Sequence, residues 1–161
     1  MITDTFWKFR AVKPAGLLLV PTGQFTQSEK DLGVRLKMER RAGQTSCMIR
    51  IYVASTTSGQ RIFTIQELGK RTIKFFERTY KKTMRMKPEI DKRWKLGPMT
   101  KKSLAIRLVG RRTVPEVNRW YFATCKNGRQ YQLQVYVTGG TAEKDWKPQI
   151  DDFLKNFTPL K

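Results

Sequence analysis

The chain has 161 residues, 39% of them hydrophobic, and carries 33 Lys and Arg against 13 Asp and Glu, a formal charge of +20. That length and apolar content fit a single domain spanning 1–161 around one core. The sequence has no His, so the commonest general base and zinc ligand are missing; Cys47 and Cys125 cannot complete a four-ligand zinc site alone, and neither metal nor cofactor is expected.

Residues 6–12 and 16–20 read as short strands separated by Pro14. The apolar run from Ala15 to Val20 is too short for a membrane span or a signal-peptide core, and it stops at Pro21. The sequence as written therefore reads as a soluble intracellular protein, or an organellar one from which a targeting segment has been removed. Thr22 to Gly33 is polar and reads as a loop or weak strand.

Val34, Leu36 and Met38 alternate with Arg35, Lys37 and Glu39, and Cys47, Ile49, Ile51 and Val53 alternate with Met48, Arg50 and Tyr52. Period two with one polar face predicts antiparallel strands covered on one side. Cys47 and Cys125 lie in apolar, strand-like runs and read as reduced core thiols, with a disulfide as the alternative.

Thr64 followed by Glu67 forms a capping box that opens a helix running to about Lys82. Ile65, Leu68, Thr72, Phe75, Phe76 and Thr79 share one arc of this helix, with Ile73 and Tyr80 at its edge. Lys70, Arg71, Lys74, Arg78, Lys81 and Lys82 share the other, so one side is expected buried and the other cationic. Thr83 to Lys102 reads as an irregular basic segment.

Three further strands follow, through Leu104–Val109, Arg119–Cys125 and Gln130–Val137. The last two flank Asn127-Gly128, the preferred dipeptide of a two-residue hairpin turn. A final helix covers Trp146 to Phe157, with Asp145 placed to cap it and Ile150, Phe153, Leu154 and Phe157 at core-facing spacing. The expected fold class is α+β: an antiparallel β-sheet of about six strands with helices packed on it.

Read as a unit, the stretch from Ala123 through Asn127-Gly128 to Tyr131, the strand to Val137, the loop to Asp145-Trp146 and the helix closing at Phe157 resembles the PsbP-like family. Ile49–Ser55 with the following Glu67-Leu68-Gly69 helix resembles its N-terminal half. The resemblance covers residues 34–81 and 102–158 and implies a Mog/PsbP-like α/β/α sandwich. That fold is shared with a small Ran-binding import factor and with bacterial secretion-effector chaperones. It also implies a non-enzymatic accessory or docking role, or a cytoplasmic effector chaperone. Unlike the photosystem members, this sequence shows no lumenal targeting segment and has no His for the metal contacts proposed in some of them.

The charge is concentrated: between Lys70 and Arg112 sixteen Lys and Arg face only Glu77, Glu89 and Asp91. Lys70/Lys74, Lys74/Arg78 and Arg78/Lys82 are like charges one helical turn apart, each costing a few tenths of a kcal/mol. A chain that carries this cost without balancing acids is expected to meet a polyanion. The candidate partner-binding residues are Lys70, Arg71, Lys74, Arg78, Lys81, Lys82, Arg85, Lys87, Arg93, Trp94 and Lys95. The expected partner is an acidic protein surface of a larger complex or a nucleic acid, with peripheral contact to an anionic membrane satisfying the same electrostatics.

Trp94 is the best candidate for an exposed stacking platform; Tyr52, Phe63 and Tyr80 would add to it if exposed, although Phe63 and Tyr80 read first as core. Gly69-Lys70-Arg71-Thr72 lies inside the helix and lacks the first Gly and the Ser or Thr of a phosphate-binding loop. Asp151-Asp152 and Glu143/Asp145 complement a helix dipole, and Ser103 and Cys125 have no base beside them, so no enzyme and no small-molecule substrate are expected.

Overall fold

The computed structural model describes residues 1–55, 59, 61–80, 87–91, 104–110, 116–124, 128–139 and 141–161. Its elements are β1 (Ile2–Asp4), β2 (Phe9–Ala11), β3 (Leu18–Leu19), a 3-10 turn (Thr22–Gln24), α1 (Gln27–Asp31), β4 (Val34–Ala42) and β5 (Thr45–Ser55). They continue with α2 (Ile65–Tyr80), β6 (Lys87–Asp91), β7 (Leu104–Gly110), β8 (Glu116–Thr124), β9 (Arg129–Thr138), α3 (Ala142–Asp145), α4 (Lys147–Asn156) and β10 (Thr158–Pro159).

Seven strands form one antiparallel sheet in the order β3-β4-β5-β9-β8-β7-β6, and β1-β2-β10 form a second, small sheet. The architecture is α+β, as expected, with a seven-stranded main sheet in place of about six strands. Its seam is β5 against β9, paired without interruption from Ser46↔Thr138 to Ser55↔Arg129.

The period-two reading predicts which side of this seam is dry. Cys47, Ile49, Ile51 and Val53 share one face with Tyr131, Leu133, Val135 and Val137, and all are buried. Ile150, Phe153 and Leu154 of α4, together with Phe157, close over that face, as do Phe9 and Ala11 of the small sheet. Phe9 stacks on Phe157 at 5.9 Å between ring centroids, and Tyr131 meets Phe157 edge-on at 5.7 Å. The opposite face holds Phe25, Val34 and Tyr52 in a second cluster, while α2 lies over β6, β7 and β8.

Several expectations are corrected. Val34 does not share a face with Leu36 and Met38: the register shifts between Val34↔Tyr52 and Leu36↔Ile51, and this bulge turns Val34 toward Phe25 and Tyr52. Thr22 to Gly33 is neither loop nor strand but a 3-10 turn and α1, capped reciprocally by Thr26 and Glu29. Gly33, with φ of 80°, ends that helix by donating its N–H to the Lys30 carbonyl.

The segment expected to be irregular contains β6, an edge strand in which Pro88 pairs opposite Leu108. The β8–β9 hairpin is present, but it pairs Thr124 with Gln130, whereas a two-residue Asn127-Gly128 turn would pair Thr124 with Tyr131. Gly128 has φ of 71°, the left-handed position that three-residue hairpin loops give to glycine. Asp145 does not cap the last helix: it ends α3, accepts from the Thr141 hydroxyl, and leaves Trp146 as the N-cap of α4 without a side-chain bond.

Candidate cationic interface

The helix that carries the charge is fixed at its start by two devices. Thr64 N–H donates to Glu67 Oε2 at 2.8 Å, and Glu67 N–H donates to Thr64 Oγ1 at 3.1 Å, the expected capping box. Just before it, the buried Gln130 amide acts as a surrogate peptide: Phe63 N–H donates to Gln130 Oε1, and Gln130 Nε2 donates to the Phe63 carbonyl. The lead-in to α2 is thereby tied to β9 rather than left to the loop.

Leu68 and Gly69 are buried, Thr72 is half-buried, and Lys70, Arg71, Lys74 and Arg78 are exposed, as the helical wheel requires. Lys70, Lys74 and Arg78 form no ion pair among the described residues. Lys87 lies in β6, its backbone paired with Val109. Lys81, Lys82, Arg85, Arg93, Trp94 and Lys95, also expected to bind a partner, lie outside the described residues, as does Cys125. The side chain of Tyr80 is likewise not described.

Phe75 departs from expectation. The helical wheel puts it on the buried arc with Leu68, yet it is 59% exposed. It lies four residues after Arg71 and three before Arg78, so the helix sets an aromatic ring at the border of its basic face. Its position at the margin of the apolar arc, rather than its centre, is the sequence signal for this.

Arg71 is partly committed within the chain. Its guanidinium lies 4.4 Å from the Phe63 ring centroid, with Arg61 at 4.9 Å on the same ring. Arg61 Nη2 also stands 3.8 Å from Glu67 Oε1. The Glu67 carboxyl is held below its usual range first by the Thr64 N–H, then by the Thr64 hydroxyl and by Arg61 and Arg71. Phe63 is thus a half-buried ring dressed in cations, while Tyr52 is buried and donates its hydroxyl proton to Gln134 Oε1 at 2.8 Å.

Among the described residues no group of three His, Cys, Asp or Glu stands close enough to hold a metal ion. Cys47 is free and fully buried, and burial pushes its thiol up to about 12, which leaves no nucleophilic thiolate at neutral pH. No helix among the described residues is long and apolar enough to cross a membrane.

No family model and no curated protein matches the chain. Among solved structures it is similar to cyanobacterial PsbP (CyanoP) from Synechocystis, with a TM-score of 0.60 and 12% sequence identity, over 99% of this chain and 91% of that one. At that identity the likeness concerns the backbone, and the chain has a PsbP-like fold, as the resemblance in its sequence implies.

Proposed function

We propose that this chain acts, as one domain, as a non-enzymatic accessory protein that docks onto an acidic surface of a larger assembly through the outer face of α2. The observation that carries this reading is Phe75, exposed beside Arg71 and Arg78 on a helix whose Lys70, Lys74 and Arg78 have no acidic partner among the described residues. An aromatic side chain that fills a pocket can anchor a protein interface, and charges beside it set orientation and encounter rate. The resemblance to PsbP-like proteins supports the same role, and the lack of any His supports binding over catalysis.

Replacing Lys74→Glu together with Arg78→Glu is expected to release the protein from its native assembly while its melting temperature stays within a few degrees. Both side chains are exposed, and the change makes the 70/74 and 78/82 pairs attractive while the 74/78 pair stays like-charged, so the helix loses little. Unchanged co-purification from the native source would overturn the reading.

A second reading, sequence-independent nucleic-acid binding by the same face, draws on the stack of Arg61 and Arg71 on Phe63. It requires retention of single- or double-stranded oligonucleotides at low salt that falls steeply as salt is raised. Absence of retention at low salt removes it.

A further inference from the structure

The turn between β1 and β2 is held far more firmly than a surface turn needs. The Phe6 carbonyl accepts from Arg129 Nη2 at 3.0 Å, and the Trp7 and Lys8 carbonyls share the one proton of the Tyr131 hydroxyl, at 2.8 and 2.6 Å. Lys8 O also accepts from Leu160 N–H at 2.7 Å, and Trp7 N–H donates to Asp4 Oδ1 at 2.7 Å. Tyr131 is itself fully buried in the aromatic cluster, so the turn is bolted to the core. This support maintains Lys8 at φ of 57°, a left-handed conformation costly for a residue with a Cβ.

What the turn displays is apolar. Phe6 is 71% exposed, its ring set edge-to-face against half-buried Trp7 at 4.9 Å and 85°. The Arg35 guanidinium lies 4.0 Å from the Trp7 ring centroid. Half-buried Lys8 and exposed Arg10 follow in the chain, half-buried Arg129 holds the Phe6 carbonyl, and Asp4 is the acid bonded within the turn, so the turn and its supports carry a net positive charge.

We infer that the Phe6 turn is a membrane-touching wedge: Phe6 enters the boundary between headgroups and acyl chains of an anionic bilayer, Lys8 and Arg10 meet lipid phosphates, and Arg35 and Arg129, engaged within the turn, add to the local positive field. The two signals are complementary to that surface, since one apolar insertion and a basic patch give together the reversible attachment that neither gives alone. Phe6 has no polar atom to satisfy, and a fluid layer requires no shaped socket. The wedge is separate from the α2 face. Arg129 and Gln130 are consecutive on β9 and grip the Phe6 turn and the Phe63 lead-in from opposite sides of the sheet, so the two surfaces flank one end of the molecule.

Co-sedimentation of the full chain with vesicles of phosphatidylcholine alone, and of phosphatidylcholine mixed with phosphatidylglycerol, tests this directly. Binding is expected only to the anionic vesicles. Phe6→Ser should weaken it about tenfold, the scale of burying one phenylalanine, with an unchanged melting temperature. Phe6→Trp should restore binding and add emission that acyl chains carrying bromine quench. Lys74→Glu with Arg78→Glu, which tests the docking face, should retain vesicle binding, so the two readings fail separately. Absence of binding to anionic vesicles, or binding by Phe6→Ser equal to the unaltered chain, would overturn the inference. Loss confined to the α2 variant, or an oligonucleotide bound through Phe6 while vesicles are not, would overturn it equally.

Discussion

Glu29 is 5% exposed and meets two cations, Lys37 Nζ at 3.1 Å and Arg50 Nη2 at 2.6 Å, both through Oε1. Burial acts to raise its pKa, but the Thr26 N–H, Lys37 and Arg50 outweigh burial and hold the carboxyl below its ordinary value of 4.5. A depressed folded-state pKa means that the unfolded chain takes up the proton first on acidification. The stabilisation is therefore complete above the unfolded value and is lost as pH falls through and below it. Glu29→Gln is expected to cost about 2–4 kcal/mol at neutral pH, because it leaves two half-buried cations without their counter-charge. Urea melts at neutral and acid pH check both size and sign: the curves of the variant and the unaltered chain should converge as pH falls. A gap independent of pH would show that the ionised carboxylate is not the source.

At the scale of elements, the strands with clean alternation were legible, because a dry face on a sheet imposes period two directly on the sequence. Cys47 to Val53 and Tyr131 to Val137 declare both the seam and its buried side. The Thr64–Glu67 box marks α2, and the same Thr-x-x-Glu spacing at Thr26–Glu29 opens α1 without a helical pattern behind it. No apolar run follows it, and α1 buries a charge rather than a hydrophobic face. What alternation cannot report is a bulge, and one extra residue at Val34 reverses a side chain without altering the pattern. Within the candidate interface, Lys70, Lys74 and Arg78 followed from the wheel, whereas Phe75 depended on how far the sheet reaches around the helix.

The Gln130 clamp was not legible at all, since a Gln in a strand reads as a solvent-facing residue until the peptide it imitates is placed beside it. Gln130→Leu is expected to destabilise the fold by about 1–3 kcal/mol, because the Phe63 N–H and carbonyl would lose their partner beneath the α2 lead-in. Amide exchange at Phe63 should quicken more than exchange at Ile49 or Val135 in the β5–β9 seam. Uniform acceleration across the sheet would mean that Gln130 serves the core rather than the helix start.

For the whole molecule, the charge of +20 acts in two opposed ways. Repulsion within the folded chain, densest between Lys70 and Arg112, opposes compaction, whereas under the docking proposed above the same residues would strengthen attraction to an acidic surface. Added salt screens both once the Debye length falls to about 10 Å, near 0.1 M. The melting temperature of the isolated protein is therefore expected to rise with sodium chloride over the first few tenths of molar, while affinity for the proposed acidic assembly falls. The double change Lys74→Glu with Arg78→Glu should flatten both dependences, because it removes charge from the surface that generates them. Thermal melts and binding titrations across one salt series are sufficient. If stability rises with salt while affinity does not change, the cationic face contributes to the energetics of the fold but is not where the partner sits.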